Sequence, residues 1–386
     1  MAGPTNESLL QSWLEPLLAD LPGLSLFDAH THIGFNDPDG ARLSAEQLLE
    51  ILAPLDGRGV VFPMHEPDGY REANDLILSE AGGSDGRLIP FCRVNPNDGA
   101  VAEATRCIEL GARGIKLHPR SDAFPLDGPE SRGIFALAHE HRLPVLIHAG
   151  RGIPALGQHT LELSADFPDA KLILAHAAVS DLSWIWRRLD EHPNVFIDTS
   201  WWVPLDLMTL FSYVPPGRIL FASDVPYGAP ALNAVLTLRC ARQAGLSAEQ
   251  IRGVCAGQLE RLLSGETPLD LGPPPGPAER PSDLITERVY LYLSAALARM
   301  IVGADAEELV ALAALACQVT DDAPEAEICR KMADLIAFQA RSFVDVRPEE
   351  LAAPSTQRLA LLGPLLLATV LAVTPSVPAP GEFVAT

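Results

Sequence analysis

Basic residues are scarce in this 386-residue chain: 28 Lys and Arg stand against 50 Asp and Glu, for a formal net charge of −22. A surface so poor in Lys and Arg cannot track a phosphate backbone or adsorb to anionic lipid, which excludes nucleic acids and membrane surfaces and leaves small molecules as the expected partners. The six cysteines, at 92, 107, 240, 255, 317 and 329, include no CxxC pair and no regular spacing. That excludes a thiolate zinc site and a disulfide framework, so they read as reduced, buried thiols. Long apolar runs are also missing. The longest, Leu359 to Val373, contains Gly363 and Pro364 and falls short of the roughly 20 residues that span a bilayer, so it reads as a buried helix. Residues 1 to 24 lack a basic start followed by an apolar stretch and a cleavage site, and a cytoplasmic location is the expectation.

What is present is the composition of a folded protein, 48% hydrophobic and 20% charged, in a chain long enough for one α/β barrel and a smaller attachment. Between residues 25 and 226, eight short runs rich in Val, Ile, Leu and Phe alternate with segments of helical spacing. They begin at Leu24, Gly59, Arg87, Arg113, Pro144, Lys171, Asn194 and Arg218. Near-continuous apolar strands separated by helices indicate a parallel sheet covered on both faces, and eight repeats favour closure into a (β/α)8 TIM barrel. Ser44-Ala45-Glu46-Gln47 and Ser247-Ala248-Glu249-Gln250 are ordinary helix-start signals. A proline-rich stretch, Leu271 to Pro281, then breaks the pattern. The expected organisation is a barrel over residues 1–270, a linker over 271–281 and an all-helical appendage over 282–386. Three or four helices are expected in the appendage: Leu284 to Ile301, Ala306 to Val319, Glu325 to Phe343 and Arg358 to Val373. The appendage contains no histidine, so the chemistry belongs to the barrel.

Side chains at the C-terminal ends of barrel strands share one mouth, where active sites are built. Six of the ten histidines fall at such ends: His30, His32, His65, His118, His148 and His176. His30 and His32 are two apart on an extended strand, so both imidazoles leave the same face and can meet one cation. A lone HxH is weak evidence; joined to other strand-end histidines and to Asp224 at the end of the eighth strand, it becomes strong. Histidines 139, 141, 159 and 192 lie away from strand ends and read as surface or capping residues.

Asp28-Ala29-His30-Thr31-His32-Ile33-Gly34, Gly114-Ile115-Lys116-Leu117-His118-Pro119, Ile147-His148-Ala149-Gly150, Ala175-His176 and Ser223-Asp224 resemble the motifs of the amidohydrolase superfamily. The likeness is to the branch that includes the aminocarboxymuconate-semialdehyde decarboxylase-like enzymes and related metal-dependent hydrolases. The resemblance spans roughly the first 264 residues and gives the appendage no counterpart. It implies that His30, His32, His148 and Asp224 hold a single divalent ion, usually zinc, and that His176 is a catalytic histidine outside the ligand set. Such donors suit Zn²⁺ with an open position for a water that ionises near neutral pH. Asp224 would then accept the proton of that water and pass it on, and His176 would orient the water or stabilise an oxyanion.

Lys116, one of only three lysines, shares strand parity with His118 and so faces the mouth if His118 does. It reads as an ammonium that attracts an acidic substrate; the other reading is a carboxylated lysine bridging two ions. Arg120 and Arg151, in the loops beyond the fourth and fifth strands, are candidate carboxylate clamps, and His65 and His118 candidate pocket residues. The function expected is hydrolysis of an amide, ester or lactone of a small acidic substrate by a metal-activated water. Non-oxidative decarboxylation on the same site is the alternative. A third reading, a silent barrel that acts as a scaffold through its appendage, also accommodates homo-oligomerisation through those helices.

Overall fold

The computed structural model describes residues 6–150, 152–277, 283–344 and 361–380. Its strands are β1 (Phe27–Ile33), β2 (Arg58–Pro63), β3 (Leu88–Pro90), β4 (Cys92–Arg93), β5 (Ile115–Leu117), β6 (Pro144–Ile147), β7 (Lys171–Leu174), β8 (Val195–Asp198) and β9 (Ile219–Leu220). Every adjacent pair is parallel. β3 and β4 are two halves of one stave, because Phe91 N donates to Val61 O at 2.9 Å and carries the ladder across the break. Eight staves result.

The first and last staves meet. Ala29 N donates to Phe221 O (2.9 Å), Asp224 N to His30 O (2.8 Å) and His32 N to Val225 O (2.8 Å), with a parallel bridge between Thr31 and Val225. Closure of this kind leaves no free sheet edge. The barrel interior is filled by Phe27, Ala29, Val60, Phe62, Phe91, Leu146, Ile173, Phe196 and Leu220. The alternate residues, such as Val145, Ile147, Leu172, Leu174 and Ile197, face the surrounding helices. The expected fold is therefore the observed one.

One irregularity positions the site. The β1–β2 register shifts between Asp28 and Thr31, so that Ala29 and His30 together oppose Val60. Such a β-bulge inserts one residue and resets the parity of everything after it. Phe27 and Ala29 belong to the interior cluster, whereas Ile33 packs outside with Leu48 and Val61. Without the extra residue, Thr31 would face inward and His30 and His32 would face the helices.

Beyond residue 264 the described residues form helices and no strand: Leu284–Ile301, Glu307–Ala316, Ala326–Val344 and Gly363–Val373. Residues 278–282, within the expected linker and appendage boundary, and 358–360, at the start of the last expected helix, lie outside the described residues. The helix Gly363–Val373 is buried along its whole length, as its apolar composition requires. The buried Arg239, on the helix Pro230–Ala244 that follows β9, grips its end. Its guanidinium donates to Thr374 Oγ1 (3.0 Å), Thr374 O (3.1 Å), Val377 O (2.8 Å) and Pro378 O (2.9 Å), satisfying the C-cap residue and two carbonyls of the chain beyond it. An N-terminal helix, Asn6–Ala19, buries Leu9, Trp13, Leu14 and Leu17.

Candidate active site

Asp224 follows β9 in the left-handed region (φ 63°), a conformation that Asp tolerates better than most residues. Its backbone is held there by the bond to His30 O, and its carboxylate turns to the imidazoles of β1. Asp224 Oδ1 lies 3.1 Å from His30 Nε2 and 3.1 Å from His32 Nε2, and Oδ2 lies 3.9 Å from His176 Nδ1. Ligand-capable atoms of His30, His176 and Asp224 all fall within 4.8 Å of one another. His148 joins the cluster through His176, with Nδ1 at 2.9 Å from His176 Nε2. His118 stacks on His148 at 3.8 Å and 14°. Lys116 is fully buried, with Nζ 3.0 Å from His30 Nε2.

These residues form the floor of one cavity of about 540 Å³, with His65 and the exposed Arg120 on its wall. The structure thus brings together His30, His32, Lys116, His118, His148, His176 and Asp224, and sets His65 and Arg120 around them. Arg151 lies outside the described residues.

The ring orientations follow from what stands behind each imidazole. Asp198 Oδ2 accepts from His30 Nδ1 at 2.9 Å, Pro63 O accepts from His32 Nδ1 at 3.2 Å, and Ser200 O accepts from His176 Nδ1 at 3.0 Å. A proton donated backward from Nδ1 leaves the Nε2 lone pair of His30 and His32 aimed at Asp224 and the cavity. His148 Nε2 is buried with no hydrogen-bond partner and packs on Gly150, where an added Cβ would sit 2.6 Å from it. Asp198 also accepts from His176 N (2.9 Å) and Ser200 N (2.9 Å), and Asp28 Oδ1 accepts from His30 N (3.0 Å) and Ser223 N (3.0 Å).

Burial dominates the titration of the site. It pushes His32 down to about 3 despite Asp224, and pushes His118, His148 and His176 below the ordinary histidine range. His30 is the exception: burial and Lys116 press it down, but Asp224 and Asp198 outweigh them and raise it. Burial brings Lys116 down to about 7, with Asp224 pulling the other way. Burial would raise Asp224, yet the charge and hydrogen bonds of His30 and His32 hold it well below the usual carboxylate range. Apart from His30, whose proton a bound cation would displace, the imidazoles are held neutral beside an ionised carboxylate, the states that ligate a cation. The clustered imidazole and carboxylate donors therefore fit a divalent metal.

Asp198, Asp122 and the role of Asp28 escape a reading of the sequence, whereas Arg93, at the end of the third apolar run, is a candidate pocket residue that the cavity lining includes. Arg93 is buried and reaches Asp122 at 3.2 Å, and Tyr70 donates to Asp122 at 2.6 Å. The available signal for Asp198 was its place at the end of the seventh apolar run, the position Asp224 holds in the eighth.

A family model described as amidohydrolase matches residues 27–262. Among solved structures, the chain resembles an uncharacterised TIM-barrel protein from Bordetella bronchiseptica (TM-score 0.51, 16% identity, 63% of this chain and 99% of that one). It also resembles a 2,6-dihydroxybenzoate decarboxylase from Rhizobium (TM-score 0.48, 16% identity, 63% and 98%). A third is a 4-oxalomesaconate hydratase from Rhodopseudomonas palustris (TM-score 0.46, 17% identity, 62% and 96%). At such identities the first likeness is one of fold alone. Comparison with curated proteins gives no match.

Proposed function

The chain belongs to the amidohydrolase family of metal-dependent enzymes, and from that premise we propose that it hydrolyses an amide, ester or lactone of a small acidic substrate. The observation that carries the reading is the Asp224 carboxylate, ionised at the cavity floor and within 3.1 Å of two imidazole Nε2 atoms. His30, His32, His148 and Asp224 would hold one divalent ion, Zn²⁺. When bound, that ion would supply Lewis acidity to a water or to a substrate carbonyl.

The remaining work falls to the chain. Asp224 accepts the proton of the attacking water and returns it to the leaving group, a role its ionised state and its position between the imidazoles allow. His176, fixed by Ser200 and His148, orients the water and faces the charge that develops on the substrate oxygen. Lys116 and Arg120 draw a substrate carboxylate into the cavity.

Asp224→Asn keeps an oxygen ligand but removes the base. We expect metal content to be retained while turnover of an ester and lactone panel falls about 10²–10⁴-fold; wild-type turnover in the variant would reject the role. The buried Lys116 and Arg93 at the floor favour a second reading, in which they hold a carboxylate at the reacting centre and it leaves as CO₂ while a proton takes its place on the carbon. Release of CO₂ from unsaturated or aromatic acids, without cleavage of any ester or lactone, would put this reading in place of the first.

A further inference from the structure

The cavity is chemically divided. Its floor carries Lys116, Arg93 and the imidazoles, whereas another part of its lining consists of Trp201, Trp202 and Ile301. The two indoles follow β8 with ring centroids 5.7 Å apart, and Trp201 stands 6.4 Å from His176. Trp201 Nε1 donates to Asp206 Oδ2 at 2.6 Å, so its N–H is spent on that carboxylate and the ring offers hydrocarbon surface.

Ile301 comes from elsewhere. It is the last residue of the helix Leu284–Ile301 and lies beyond the residues matched by the family. That helix is held firmly. Asp283 caps its start, accepting from Ile285 N (2.7 Å) and Thr286 N (3.0 Å), and Val289, Leu293, Ala296 and Leu297 are buried. The Tyr290 hydroxyl sits beside the Leu205 backbone and Asp206, the residue that anchors Trp201. One segment thus reaches the neighbourhood of the carboxylate that holds Trp201 and ends at the same cavity.

We infer that the C-terminal helical segment is a specificity element: Ile301, with Trp201 and Trp202, closes an apolar subsite that limits the length of an uncharged aryl or alkyl tail on the substrate. This rests on the reading that the polar floor receives an acid group, and adds what lies at the substrate's other end. The substrate class is an amphipathic acid, its charged and reacting groups at the floor and its apolar tail running to Ile301.

The test uses the full-length, metal-loaded protein and two homologous series, ω-phenylalkanoates and the matching uncharged ω-phenylalkanols, titrated by calorimetry. Affinity for the acids should rise about fourfold per methylene, the increment expected for burial of one such group, until the tail reaches Ile301, and then fall. Ile301→Trp should move that break to a shorter tail and Ile301→Ala to a longer one. If the larger side chain prevents folding, the Ala variant alone must show a shift of at least one methylene. The same break in all the proteins would overturn the inference. A shift in both series with no preference for acids over alkanols would uphold the wall and sink the acidic reading. Absence of binding by either series would overturn both.

Discussion

Behind His30, the Asp198 carboxylate decides which ring nitrogen keeps its lone pair, because it takes the Nδ1 proton at 2.9 Å. It also ties down the turn that carries His176 and Ser200. Asp198→Asn can keep an oxygen on those backbone N–H groups while presenting an amide to Nδ1, which forces the proton onto Nε2. Loss of such a supporting carboxylate costs metal affinity about 10–100-fold. We expect a fall of that size in a competitive chelator titration, with an unchanged circular dichroism spectrum; wild-type affinity would contradict the role. The residues that converge on Asp224 were legible because type and strand-end position coincide in each. Asp198 has the same position, but its purpose exists only across the barrel, where β8 faces β1, and no local pattern records that.

At the scale of elements, apolar spacing reads well where an element is regular. Leu284 to Ile301 is foreseen to the residue and the other appendage helices to within a few residues of the described ends. Asn6–Ala19 is harder to see, since Pro16 lies inside it. The bulge in β1 is invisible in one strand, being a mismatch of two residues against one in its neighbour. Arg239 is another tertiary device that no local pattern records: a helix residue buried among four acceptors. Replacing it by leucine strands those acceptors, each worth about 1 kcal/mol or more when left unpaired. Arg239→Leu should therefore lower the unfolding free energy by about 3–5 kcal/mol in urea titrations. A change within 0.5 kcal/mol, the range of ordinary surface substitutions, would show that the clamp is not holding the C-terminal helix.

Across the whole molecule, eight staves closed from β9 to β1 bring the ends of a chain segment nearly 200 residues long to one carboxylate. Of the C-terminal helices, Gly363–Val373 packs on the helices that follow β8 and β9, and Leu284–Ile301 sends Ile301 into the mouth. That placement argues for an enzyme whose appendage shapes its pocket over a barrel reduced to a scaffold. No helix among the described residues is long and apolar enough to cross a membrane. The central claim is that imidazoles from β1 and later strands, with Asp224, hold one divalent cation. Elemental analysis of the full-length protein, purified without added metal, tests this most directly. The account predicts about one equivalent of a divalent metal per chain, and little or none in a His30→Ala, His32→Ala variant that still folds. Two equivalents would make Lys116 a bridging group instead of an ammonium, and a folded wild-type protein that neither carries nor takes up metal would contradict the site itself.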